Sequence, residues 1–413
     1  MMAKKYITIF GVYITMSDRK HFVRKWNTKL YLVIFVGLAS LSAIIYFINL
    51  KYTVNAIAPV ERPISIDFQG LIKESKNLIR LNEARKNFSV TGNGLTVAVI
   101  DTGLRVTHRD FSGRVITQRN FISNNGSNIN DASDGYGHGT HVTGIIAANG
   151  VKKDYNGIAP DVKIIPIKVL DNNSRGNFEN IEKALEWIIK NHKKYNITAV
   201  CMSLGDSGNY SEDKSVGISN KNIIQSQIKN LKNNKIAVIA AAGNNFYRKD
   251  SKQGMIFPAI IPETISVGAV YDAKEGAQSY RFGAYTKRSA PDEITPFSQR
   301  LHKSVNPNTQ TDIFAPGAPI ISSGIDNDFD VSKQSGTSQA APVVTGVVLL
   351  LQEYHLRKTG NLPSIDDLTR YLRDGGVTIQ DIDNDYDNVK STGLDFIRID
   401  ALGALETMDK DLR

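Results

Sequence analysis

Three segments of the chain carry the residue types of acyl-transfer chemistry. Asp101 ends the apolar run TVAVID, His138 opens the small-residue stretch HGTHVTGIIAA, and Ser338 sits in GTSQAAP ahead of a long apolar segment. A serine hydroxyl is a weak nucleophile at neutral pH and needs a histidine within hydrogen-bond reach to take its proton. That histidine needs a carboxylate on its other nitrogen to hold the tautomer and stabilise the imidazolium. At a helix N-terminus, Ser338 would also sit where backbone dipoles favour developing negative charge. Singly, each residue has an ordinary use: the aspartate as a cap, the histidine as a loop residue, the Gly-Thr-Ser turn as an N-cap. Together they supply a nucleophile, a base and a base-orienting acid.

The elements that must position them read as alternating strands and helices. Short β-branched runs occur at 96–101, 162–170, 197–204, 235–242 and 264–270. Helix-period segments lie at 178–194 and 221–233, and a third follows Gly336 toward His355. Near-continuous apolar strands imply a sheet buried on both faces, hence mostly parallel and flanked by helices. In such α/β sheets the functional crevice lies outside the carboxyl ends of the strands. No internal repeat or low-complexity tract interrupts the pattern, so residues 76–413 are expected to form one domain.

Composition narrows the class. The chain has 413 residues, 41% hydrophobic and 22% charged, which excludes a disordered or collagen-like chain. The lone Cys201 excludes an intrachain disulfide and a multi-cysteine zinc site. The net charge of +9 raises the question of an acidic partner. Residues 1–29 carry seven basic residues against Asp18, a net +6 that leaves +3 for the rest. No basic stripe with interleaved aromatics appears in the domain, so no nucleic-acid partner is expected. Residues 30–50, LYLVIFVGLASLSAIIYFINL, are free of charge and long enough to span a bilayer as a helix. With the basic flank before them, the expectation is a single-pass signal anchor with the N-terminus cytoplasmic and the domain extracytoplasmic. A cleaved signal peptide and a secreted domain is the alternative. Residues 51–75 read as a juxtamembrane linker.

The three chemical segments resemble the subtilisin-like serine proteases (the subtilases, peptidase family S8). Asp101-Thr102-Gly103, His138-Gly139-Thr140-His141 and Gly336-Thr337-Ser338-Gln339-Ala340-Ala341-Pro342 match the family's three motifs in the family's order. The resemblance covers about residues 75–405. It implies a subtilisin-like fold and an endopeptidase with Asp101, His138 and Ser338 as its triad. AAAGNN (240–245) resembles the oxyanion segment, which makes Asn244 the side-chain donor to the tetrahedral intermediate. MSLGD (202–206) resembles the strand that pairs with an extended substrate, so Ser203, Leu204 and Gly205 would line one side of the cleft. Ala242 and Gly243 would line the other. The implied partner is a polypeptide bound by strand addition.

Departures from the pattern carry their own expectations. Gln339 stands where the family usually has methionine, a change that leaves the mechanism alone. Asp206 replaces a common glycine beside the substrate strand and is expected to favour basic substrate residues. Val151, Lys152 and Lys153 fall where many relatives bind calcium, and cations there repel Ca²⁺. Asp110 resembles a ligand of that ion but would lack its co-ligands there. DIDNDYDN (381–388) lacks the glycine of an EF-hand and reads as a turn of solvated acids. No cofactor is therefore expected, with calcium left open. Only about 25 residues separate the apolar run from family-like sequence, so no large autocatalytic trimming is expected. Sequence does not separate hydrolysis from transfer of the acyl group to an amine, and a catalytically idle scaffold is the remaining alternative. It also leaves oligomeric state undetermined.

Overall fold

The computed structural model describes residues 71–122, 128–150, 156–383 and 386–413, together with the strands Ile7–Ile9, Val12–Ile14 and Thr53–Ala56. The chain divides into two compact units, Met1–Tyr52 and Thr53–Arg413. In the first, Ile7–Ile9 and Val12–Ile14 pair as an antiparallel hairpin. The expected anchor, residues 30–50, lies outside the described residues. Among those described, no helix is long and apolar enough to cross a membrane.

The second unit begins with strand β1 (Thr53–Ala56), within the stretch read as a linker. Its central sheet holds β2 (Thr96–Asp101), β3 (Arg119–Asn120), β4 (Lys163–Lys168), β6 (Ile197–Met202), β8 (Ala237–Ala241), β9 (Ile265–Tyr271), β10 (Ile313–Ala318), β11 (Val377–Gln380) and β12 (Asp395–Arg398). Their spatial order is β11-β12-β10-β9-β8-β6-β2-β4-β3. Every neighbouring pair is parallel except β11 with β12, so the expected α/β architecture is present with one antiparallel edge. β5 (Arg175–Asn177) and β7 (Leu204–Gly205) lie outside this sheet and flank β1.

The strands are apolar throughout because both faces are covered, and strand alternation sends successive side chains to opposite layers. From β2, Val97 and Val99 join one core with Val142 and Ile145 of helix α1 (His138–Ala147) and Val344 and Val347 of helix α4 (Thr337–Thr359). Ala98 and Ile100 face the other core. There they meet Ile181, Leu185 and Ile188 of helix α2 (Phe178–Tyr195) and Ile224, Ile228 and Leu231 of helix α3 (Lys221–Asn233). Helix α2 is amphipathic at the expected positions, capped by the Asn177 side chain on Asn180 N. Helix α4 is buried along its whole first two-thirds, as its lack of a polar stripe requires.

Candidate active site

Neighbouring parallel strands end at one edge of the sheet, and their carboxyl ends carry the residues singled out above. Asp101 is the last residue of β2, Ser203 follows β6, and Ala242, Gly243 and Asn244 follow β8. These three strands are adjacent in the order β8-β6-β2. Helices α1 and α4 begin at the same edge, bringing His138 and Ser338 into the group.

Asp101 and His138 are in contact. The His138 Nδ1 and Asp101 Oδ1 atoms lie 2.7 Å apart, and both side chains are fully buried. A carboxylate oxygen accepts, so Nδ1 carries the proton and Nε2 is left as the basic nitrogen. Asp101 Oδ1 also accepts from Thr102 N at 2.7 Å. The start of α1 is fastened to the end of β2 by a small network. The Thr102 hydroxyl accepts from Gly139 N at 2.8 Å and donates to Asp134 Oδ1 at 2.9 Å. Asp134 in turn accepts from Tyr136 N, Gly137 N, Thr140 N and the Thr140 hydroxyl, between 2.7 and 2.9 Å. Gly139 is needed for the close approach, since a Cβ there would lie 2.2 Å from Gly103 O. Asp134 and Thr102 were not anticipated as positioning residues. The signal was present as an acidic residue four positions before the histidine.

His141, the second histidine of the motif, does other work. Its Nε2 faces Ile320 O and Ser332 O at 3.2 and 3.1 Å, and burial pushes its pKa down to about 3. It is a neutral packing group.

Ser338 is the second residue of α4. Its hydroxyl donates to Ser203 O at 3.2 Å, and the Ser203 hydroxyl donates to Ser338 O at 2.8 Å. The second bond has a local cause. Pro342 sits four residues along the helix and has no N–H for the Ser338 carbonyl.

Asn244 is aimed by its neighbour on α4. Its Oδ1 accepts from both the backbone N–H and the hydroxyl of Thr337, each at 2.9 Å. The Nδ2 group is left buried with no partner among the described residues, as is His138 Nε2. Gly336 keeps the space beside this amide open, because a Cβ there would come within 2.9 Å of Nδ2. On the flank of the cleft, Ala242 N donates to Val267 O and Gln299 N to Gly243 O. Leu204 and Gly205 are buried in β7.

Two expectations change. Asp206 is not available to attract basic substrate residues. Its Oδ1 accepts from Gly208 N and Phe257 N, and its Oδ2 accepts from the Tyr210 hydroxyl at 2.7 Å. Burial raises its pKa, so the carboxylate pins a loop instead of projecting charge. The acids of 381–388 are not all solvated either: Asp381 is buried against Arg300, with Arg300 Nε 2.9 Å from Asp381 Oδ2. Asp110 accepts from the Ser323 hydroxyl at 2.7 Å, and Val151, Lys152 and Lys153 lie outside the described residues. Cys201 is buried in β6, where burial raises its thiol pKa to about 12 and makes it inert.

The subtilase family profile matches residues 92–364, a span that contains every residue of this site. The chain belongs to the subtilase family. Among its relatives, the major intracellular serine protease of Bacillus subtilis (strain 168) is 30% identical over 266 residues, 64% of this chain and 70% of that protein. The extracellular serine proteinase of Thermus sp. (strain Rt41A) is 28% identical over 274 residues, 66% of this chain and 54% of that protein. The thermostable alkaline protease of Halalkalibacterium halodurans is 28% identical over 305 residues, 74% of this chain and 69% of that protein. As a subtilase, the chain is a serine-type endopeptidase.

Proposed function

We propose that this subtilase cleaves polypeptides through an acyl-enzyme on Ser338. The His138 Nε2 atom takes the Ser338 proton as the hydroxyl oxygen attacks the peptide carbonyl. The oxyanion so formed accepts hydrogen bonds from Asn244 Nδ2 and the backbone N–H of Ser338. His138 then gives its proton to the leaving amine, and water repeats the sequence to release the acid. Asp101 orients His138 and stabilises the imidazolium. Ser203, Leu204 and Gly205 on one side, with Ala242 and Gly243 on the other, hold the substrate as an extended strand. The observation that carries this reading is the 2.7 Å contact of Asp101 with His138, which leaves Nε2 as a buried base with no other partner among the described residues.

The test is labelling with a fluorophosphonate probe, comparing wild type with Ser338→Ala. Labelling of the wild type alone is expected, and an unlabelled wild type overturns the reading. Product masses from a peptide library then distinguish hydrolysis from ligation.

We further propose that residues 30–50 anchor the chain in a membrane with the peptidase outside the cytoplasm, supported by the uncharged run and the basic flank before it. Protease added to intact cells is expected to digest the catalytic domain. Protection of the domain until the cells are lysed would reverse the orientation.

A further inference from the structure

The space around Ser338 holds an acceptor that the steps above do not use. Gln339 follows Ser338 in the first turn of α4 and is fully buried, and its Oε1 has no hydrogen-bond partner among the described residues. The orientation of its amide is set by Gln334, the last residue of the strand Val331–Gln334. The Gly137 carbonyl can only accept, so it faces the Gln334 Nε2 group, at 3.5 Å. Gln334 Oε1 is then turned to Gln339, whose Nε2 donates to it at 3.2 Å. That leaves Oε1 as the unpartnered end of Gln339. A Cβ built on Gly336 would lie 2.9 Å from Asn244 Nδ2, 3.0 Å from Gln339 Oε1 and 3.6 Å from Ser338 N. One small space is therefore bordered by two donors and one acceptor.

We propose that Gln339 Oε1 is a catalytic acceptor for the N–H of the scissile bond, and that it makes the enzyme selective for amide over ester leaving groups. The inference rests on the protease reading above. A peptide unit brings one acceptor and one donor, its carbonyl oxygen and its N–H. Asn244 Nδ2 and the Ser338 N–H take the oxygen, and an amide oxygen, having no proton to give, cannot bond an oxyanion. The N–H is the donor left for Gln339. The need for it arises in the tetrahedral intermediate. There the nitrogen becomes pyramidal and must turn its lone pair toward the protonated His138, which swings the N–H away from the histidine. Accepting that N–H favours the arrangement from which proton transfer follows. The proton passes from His138 Nε2 to the nitrogen, and the C–N bond breaks with its electron pair leaving on nitrogen. The carbonyl re-forms on the acylated Ser338, and the departing amine keeps its original hydrogen. Gln339 neither gains nor loses a proton. A methionine at this position would offer only a weak thioether acceptor, so the selectivity belongs to this chain's own residue.

The experiment compares the full chain with its Gln339→Met variant on two matched substrates. One is a peptide amide; the other is an ester with the same acyl half and an alcohol in place of the amine. An ester oxygen carries no hydrogen, so only the amide can lose a bond to residue 339. The quantity compared is kcat/KM, which measures transition-state stabilisation from free enzyme and substrate. Rates are taken per site labelled by a fluorophosphonate probe, which corrects for unfolded protein. The amide value is expected to fall about tenfold, what one neutral hydrogen bond supplies, while the ester value changes little. An equal loss on both substrates, or no loss on either, overturns the proposal. Gln334→Leu is run alongside. It keeps Gln339 Oε1 but removes the partner that turns it, so a smaller loss confined to the amide is expected, and a loss shared equally with the ester overturns the proposal. A wild type that neither labels nor cleaves either substrate overturns the protease reading and this proposal together.

Discussion

Ser203 and Ser338 exchange a pair of hydrogen bonds, each hydroxyl donating to the other residue's backbone carbonyl, at 2.8 and 3.2 Å. The pair ties the end of β6 to the first turn of α4. It also satisfies a carbonyl that Pro342 has deprived of its helical donor. Ser203→Ala removes this donor from a buried carbonyl and is expected to cost about 1–3 kcal/mol in denaturant unfolding. Adding Pro342→Ala returns an N–H to the helix and should recover part of the loss. A double variant no more stable than Ser203→Ala would show that the carbonyl is not the cause.

Asn244 gives a prediction of a different kind, because its Nδ2 has no ground-state partner among the described residues. An interaction made only in the transition state changes kcat and leaves KM nearly untouched. Asn244→Ala is expected to lower kcat by about 10²–10³, the loss known for the corresponding donor in subtilisin. Steady-state kinetics at saturating peptide provides the check, and an effect confined to KM would assign the amide to substrate binding.

Thr337 aims that amide, so its side chain should act on turnover through Asn244. Thr337→Val keeps the shape and the backbone N–H but removes the hydroxyl that bonds Asn244 Oδ1 and accepts from Gly243 N at 3.1 Å. A loss of about tenfold in kcat is expected, equivalent to about 1.4 kcal/mol. In an Asn244→Ala background the same change should have little further effect on kcat. Additive losses in the double variant would mean that Thr337 acts independently.

The Arg300–Asp381 pair is buried, with the guanidinium stacked 3.6 Å over the Phe246 ring centroid and Asp381 Oδ2 also accepting from Thr392 N and its hydroxyl. Removing one partner leaves the other charge uncompensated. Asp381→Ala should therefore destabilise the domain by about 3–5 kcal/mol, measured by denaturant unfolding. Phe246 lies two residues beyond Asn244, so a loss of activity at temperatures below the unfolding transition is expected to accompany it.

Asp272 makes stability depend on pH in a stated direction. Burial, with Glu275 and Glu74 adding to it against the Ser75 hydrogen bond, raises its pKa to about 7. The folded state thus holds the proton more tightly than the unfolded chain, whose aspartates titrate near about 3.9. The stabilisation is complete below the unfolded value and is lost as pH rises through about 7. Asp272→Asn removes the titration, so the variant should gain stability over wild type between pH 5 and pH 8 in paired unfolding curves, by at most about 1.4 kcal/mol per pH unit. A difference that does not change with pH would assign the carboxyl no linkage.

Much of the fold was legible because the strands and helices are local in their physics. The runs at 96–101, 197–204 and 264–270 are apolar on both faces, and that pattern alone calls for a covered parallel sheet. Asp101, His138 and Ser338 were legible because each sits in a short motif at a strand end or helix start. Other features depend on residues far apart in sequence. Asp206 looked like a free charge beside the substrate strand, but Tyr210 and the Phe257 N–H use its oxygens. Asp381 looked solvated until Arg300 was placed against it.

The amino-acid sequence by itself determined the alternation of elements, the family motifs and the three residues proposed for the chemistry. Periodicity, caps and glycine turns act over a few residues and leave their mark in the order of the chain. Tertiary structure decided which oxygen of Asp101 meets His138, how Thr337 turns the amide of Asn244, and where the strand Thr53–Ala56 pairs. Each of these depends on hydrogen bonds closed between segments tens to hundreds of residues apart. The short sequence TVNA has no pattern of its own to announce a strand, and it becomes one because the edges of β5 and β7 supply its missing partners.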